Sequence, residues 1–275
     1  MHKRLSAGIV AGSLTALGLA ALGASPALAI SPTSADLYVL HAVPGATVDV
    51  YVDGERTLDD FAPGTLAGPL DLPADSYEVA ITASDAADDS APIIGPIDLD
   101  LAAGTSYTAV AHLGASGTPT ATLFTNDLAQ TAAGQGRLTV RHVAAAPAVD
   151  VLAGGSAVVT NLSNPNEAKL DLAAGTVSAT VAATGTTAPV IGPADVAIQD
   201  GVNTIVYAWG SLADGNLALA VQTIDGLQSA PSGIPAGEAG LAADVETTPF
   251  VAGGFALLVA FGLAVALIAR KGQHN

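Results

Sequence analysis

Residues 48–53 alternate, with Val48, Val50 and Val52 set against Asp49, Tyr51 and Asp53, and the same period of two returns where Tyr77, Val79 and Ile81 face Glu78, Ala80 and Thr82. Successive side chains on a strand point to opposite faces, so this spacing predicts half-buried β-strands rather than helices. Turn-forming residues follow at short intervals, at Pro44-Gly45, Asp53-Gly54, Pro63-Gly64, Gly95-Pro96 and Ala103-Gly104. Asp53-Gly54 predicts a two-residue hairpin because both positions favour positive φ, and Gly154-Gly155 takes the equivalent place later in the chain. Seven or eight short strands with such punctuation, and no amphipathic helix among them, predict an all-β, antiparallel sandwich.

The pattern occurs twice. Leu37 to His41 followed by Val48-Asp49-Val50 is matched about 100 residues later by Leu138 to His142 followed by Val149-Asp150-Val151. Leu70-Asp71-Leu72 matches Leu170-Asp171-Leu172, and the run Ala91 to Pro96 matches Ala188 to Pro193. Collinear matches with small slips predict two copies of one domain, repeat 1 over 34–130 and repeat 2 over 135–226, each large enough for its own core.

The ends of the chain are apolar in two different ways. Residues 1–29 have a basic start at Lys3-Arg4, an apolar stretch and Ala27-Leu28-Ala29, the layout of a secretory signal peptide cleaved after Ala29. Residues 250–269 form an unbroken apolar run ending at Arg270-Lys271, long enough as a helix to cross about 30 Å of hydrocarbon. The basic pair sets the orientation, with residues 270–275 in the cytoplasm and the repeats outside. Residues 227–249, rich in Gly, Pro, Ser and Ala, read as a stalk with a reach of at most about 80 Å.

Composition fits export. There is no Cys, which leaves packing alone to stabilise the domains and removes thiol chemistry. Between the signal and the apolar run, Arg56, Arg137, Arg141 and Lys169 stand against all 25 acidic residues. Such a surface repels nucleic acid and anionic lipid, so no nucleic-acid partner is expected.

His41 and His142 are the obvious candidates for chemistry, each eight residues before an aspartate, Asp49 or Asp150. An imidazole held by a carboxylate serves as a base or a metal ligand. One His and one Asp per repeat are too few for a metal site, so the expected role is structural, a His–Asp or His–backbone hydrogen bond tying the first strand to its neighbour. Nucleophilic catalysis lacks both a Cys and a Gly-x-Ser-x-Gly elbow. Asp98 and Asp100 lie on one face of a predicted strand with nothing to position a sugar between them. The loop Asp85 to Ser90 lacks the Gly and Glu of a calcium loop. Tyr38, Tyr51, Phe61, Tyr77, Tyr107, Phe124, Tyr207 and Trp209 fall along predicted strands, as core residues do. No enzyme activity, cofactor or metal is expected.

The stretch Val39-Leu40-His41-Ala42-Val43-Pro44-Gly45 through Val48-Asp49-Val50-Tyr51-Val52-Asp53-Gly54 resembles a family of exported bacterial domains, the domain of unknown function four-three-nine-seven. Repeat 2 carries the same pattern from Val140 to Val151, with Leu152 in place of the Tyr and Gly154-Gly155 in place of Asp-Gly. The resemblance implies tandem immunoglobulin-like or related β-sandwiches on secreted or surface proteins, with no established activity.

These readings together predict a membrane-anchored, surface-exposed, non-catalytic protein with a structural or adhesive role, held by its C-terminal helix and facing a cell-wall or surface partner. The alternative is a ligand-binding module for a wall glycan, a peptide or a divalent cation in the cleft between the two repeats. A wall-sorting substrate would share the layout, but Ile234-Pro235-Ala236-Gly237-Glu238 is a poor match to Leu-Pro-x-Thr-Gly.

Overall fold

The computed structural model describes residues 30–229. The expected signal peptide, the apolar span, the cytoplasmic tail and all but the start of the stalk lie outside the described residues. Within them there is no helix. Repeat 1 comprises β1 (Ser34–Ala42), β2 (Val48–Val52), β3 (Glu55–Phe61), β4 (Leu66–Pro73), β5 (Ser76–Ala83), β6 (Ile94–Asp100), β7 (Ser106–Leu113) and β8 (Pro119–Thr125). Repeat 2 comprises β9 (Gln135–Ala145), β10 (Val149–Ala153), β11 (Ser156–Leu162), β12 (Glu167–Ala173), β13 (Gly175–Ala183), β14 (Pro189–Ile198), β15 (Asn203–Ser211) and β16 (Ala218–Ile224).

Each repeat folds into two four-stranded sheets. The orders β4-β1-β7-β8 and β3-β2-β5-β6 in repeat 1 recur as β12-β9-β15-β16 and β11-β10-β13-β14 in repeat 2, so the duplication extends to topology. The predicted hairpin turns are present, with φ of 51° and 79° at Asp53 and Gly54 and of 57° and 83° at Gly154 and Gly155.

Two expectations are corrected. The sheets are not antiparallel throughout: β1 runs parallel to β7 from Asp36 opposite Ser106 to Ala42 opposite His112, and β9 runs parallel to β15. A parallel pair needs a long crossover but not a helix, and here the connection is made of the intervening strands, most of them in the facing sheet. Nor is the immunoglobulin order followed, since that fold puts its first, second, fifth and fourth strands in one sheet. What stands is an all-β fold with its sheets in two sandwich-like pairs.

Each pair encloses its own core. Leu37, Val50, Ile81 and Leu99 lie at the centre of the first, and Leu138, Val151, Val181 and Ile198 at the centre of the second. A third cluster joins the repeats: Leu40, Ala42, Val110 and Phe124 meet Val143, Ile205 and Tyr207. The sheets that hold β1 and β9 therefore face each other, and the described residues stack four sheets deep.

This accounts for a departure from simple alternation. The central strands β1, β7, β9 and β15 are buried on both faces, β9 at every position from Gly136 to Ala144. One face of each covers its own core and the other covers the partner repeat. Burying Leu40, Val110, Val143 and Ile205 there contributes about 1.5–3 kcal/mol each. The start of the expected stalk also belongs to the folded body, because Leu227 is buried, accepts from the Thr131 amide and donates to the Gly201 carbonyl.

Candidate functional site

The paired histidines sit at the end of the first strand of each repeat, where the chain leaves the inner sheet for the outer one. His41 is buried, and its Nε2 bonds the Ala46 carbonyl at 2.7 Å while its Nδ1 accepts the Val43 amide at 3.5 Å. His142 repeats the arrangement with the Pro147 carbonyl at 3.0 Å and the Ala144 amide at 3.3 Å. A nitrogen that accepts from an amide carries no proton, so both rings are neutral with the hydrogen on Nε2. Burial lowers the pKa of both, against the raising effect of the carbonyl bond. Each ring thus closes the bend that follows its strand. The His–backbone bond is formed, but within the bend.

The aspartates have other partners. Asp49 is buried on β2, where Oδ1 accepts the Asp60 amide at 2.9 Å and Oδ2 accepts Arg56 Nη1 at 3.1 Å. Asp150 accepts the amides of Asn161 and Gly185, both at 2.8 Å, and these bonds hold its carboxyl below the usual range. Asp60 and Asn161 have φ of 50° and 54°, so each aspartate braces a left-handed residue where the neighbouring edge strand bulges. His41 and Asp49, like His142 and Asp150, therefore serve separate structural tasks.

The richest polar cluster lies between the repeats, at residues that the sequence alone did not single out. Arg141 is fully buried on β9. Its Nε donates to Glu167 at 2.8 Å, Nη1 to the Tyr207 hydroxyl at 2.7 Å and Nη2 to Asn126 Oδ1 of repeat 1 at 3.1 Å. The guanidinium carbon stands 4.4 Å from the centre of the Phe124 ring, a cation–π contact across the seam. Tyr207 donates to Gln222 Oε1 at 2.6 Å, the atom that also accepts from Thr108 of repeat 1 at 3.1 Å. Burial pushes the Tyr207 hydroxyl up, which keeps it protonated as this chain requires.

Around this centre the seam is closed by further bonds. Arg137 holds Asp171 through two nitrogens at 2.8 and 3.0 Å and reaches Asp127 of the connecting segment at 2.8 Å. Asn164 donates to the carbonyls of Leu113 and Ala144, one from each repeat. Lys169 contacts Asp127 and Glu167. Three of the four basic side chains of the described body thus sit at the junction. The detectable sign in the sequence is the spacing of Arg137 and Arg141, four apart on one face of a strand whose other face is Leu138 and Val140.

The other sequence candidates lie apart from both clusters. Asp98 and Asp100 are exposed on one face of β6, and the loop from Asp85 to Ser90 is largely solvated, with Asp88 capping the Ser90 amide. Tyr51, Phe61, Tyr107, Phe124 and Tyr207 are buried, while Tyr38, Tyr77 and Trp209 are half-buried. Among the described residues no group of three or more His, Cys, Asp or Glu side chains is placed to hold a metal ion.

Residues 35–152 match the family model of a domain of unknown function, DUF4397. The chain carries a DUF4397 domain. The match begins in β1, runs through repeat 1 and ends in β10, so it contains both histidine bends and both aspartates. In this DUF4397 domain the recurring His and Asp are accounted for by the bend and bulge that they hold. No curated protein matches the chain.

Proposed function

We propose that this protein is a membrane-anchored, surface-displayed, non-catalytic module with a structural or adhesive role. The observation that carries the reading is the use of its polar groups: His41, His142, Asp49 and Asp150 are spent on backbone, and Arg137 and Arg141 on the seam. What faces outward is an acidic shell on a stiff, four-sheet body, suited to display rather than turnover. The signal-like start and the apolar run before Arg270-Lys271 support export and tethering. Protease treatment of intact cells tests this with an antibody to the repeats. Loss of the repeat signal, with the protein in the membrane fraction beforehand, is the expected result; protection until the cells are lysed overturns it.

A recess of about 280 Å³ favours the ligand-binding alternative as a second reading. It opens where β1 of repeat 1 meets the end of β16, with Asp36, Tyr38 and Ser106 on one side and Ile224, Asp225 and Leu227 on the other. Burial and the nearby Asp71 raise the Asp36 pKa. The chemistry suits a cationic group of a wall peptide. Calorimetric titration with a lysine-containing wall peptide, compared with Asp36→Asn, tests that reading.

A further inference from the structure

The two sandwiches share one strand plan, but the first is hollow. Between its sheets lies a cavity of about 100 Å³, whereas the corresponding space in repeat 2 is about 30 Å³. The strand registers locate the cause. Ala109 of β7 and Ala121 of β8 occupy the positions that Val206 and Leu219 hold in repeat 2, and all four line their respective cavities. Small side chains on the inner sheet leave space that larger ones fill.

The cavity reaches the surface on one side. Leu58 on β3 and Leu70 and Leu72 on β4 line it and are half-buried, and the exposed Thr57 stands at the rim. β3 and β4 are edge strands of the two sheets, so the opening is the lateral gap between them, while β6 and β8 pack together on the far side. Apart from Thr57, every lining residue is apolar. A water molecule needs two to four polar partners, so such a space stays dry and takes apolar guests.

We propose that repeat 1 binds a small hydrocarbon group, a free molecule or the end of an alkyl chain, inside its sandwich, with entry between β3 and β4. The site is separate from the seam and its recess, and it does not depend on how the chain is anchored.

Methyl NMR of the full chain under xenon pressure, and separately with benzene, tests this. The expected result is a saturable shift of the Leu58, Leu70 and Ala121 methyls, with those of Val206 and Leu219 unmoved. Ala121→Leu and Ala109→Val, which install the repeat 2 residues, should each weaken that shift at least tenfold while circular dichroism stays unchanged. Dihexanoylphosphatidylcholine below its micelle concentration separates the two sources: the same methyls respond if an alkyl tail enters, and only xenon and benzene act if the guest is a free small molecule. No saturable shift at the repeat 1 methyls with xenon or benzene overturns the proposal, as does undiminished binding in either folded variant.

Discussion

Among the described residues three histidines are buried as neutral rings, and their titration contributes to how the protein responds to acid. His112 joins His41 and His142, with one ring nitrogen on the Leu113 carbonyl and the other on Thr122, both at 2.9 Å. Burial lowers the pKa of all three, and for His112 the nearby His142 lowers it further. The unfolded chain therefore takes up protons first, beginning near the ordinary value of about 6.5. Stability is full above that pH and falls as the pH drops through it towards the lowered folded values. Urea midpoints measured from pH 8 to pH 5 should be flat at first and then decline. Removing one ring is a sharper test: His142→Ala takes away the bond to the Pro147 carbonyl and the ring acceptor of the buried Ala144 amide, and should cost about 1–3 kcal/mol in urea unfolding. The sequence showed which residues recur but not their bonds. Eight positions separate His41 from Asp49, and the bend between them turns back far enough that the ring meets the Ala46 carbonyl before it can reach the next strand.

Among the elements, the edge strands β6 and β14 and the inner strand β9 are held by different means. The recurring Gly-Pro of Gly95 and Gly192 lies at a bulge, with φ of 96° and 91°. A Cβ at Gly95 would come within 2.5 Å of the Val79 carbonyl oxygen across the ladder, so Gly95→Ala should destabilise by about 2 kcal/mol or more in thermal unfolding. On β9, Arg141→Leu installs the residue that β1 carries at the matching position, Leu40. It removes the bonds to Tyr207 and Asn126 and leaves Glu167 with Lys169 alone, at a cost of about 2–4 kcal/mol in denaturant unfolding. Strand type, hairpins and the duplication were legible from period and turn chemistry. The second buried face was not, because Arg141, Thr108, Asn126 and Gln222 are polar and a period-two pattern reads polar positions as facing water. The parallel pairing escaped for another reason: β1 meets β7 only through the long-range crossover, which no local pattern records.

At the scale of the whole molecule, the seam decides how the chain behaves. With basic side chains drawn into the junction, the outer surface is left almost uniformly acidic, and self-repulsion opposes folding at low ionic strength. Raising NaCl from 10 mM to 500 mM should therefore raise the melting temperature, since the Debye length shrinks from about 30 Å to less than 8 Å. The repeats are each of ordinary domain size, yet neither covers its inner sheet alone, and separation would expose Leu40, Val110, Phe124, Ile205 and Tyr207 and strip Arg141 of its contacts to Asn126 and Phe124. The central claim is that the two repeats are one cooperative body. Differential scanning calorimetry of the chain tests it most directly. A single transition whose van't Hoff enthalpy equals the calorimetric enthalpy, shifted as a whole to lower temperature by Arg141→Leu, is the predicted result. Two resolved transitions, with only one of them moved by the substitution, would contradict it.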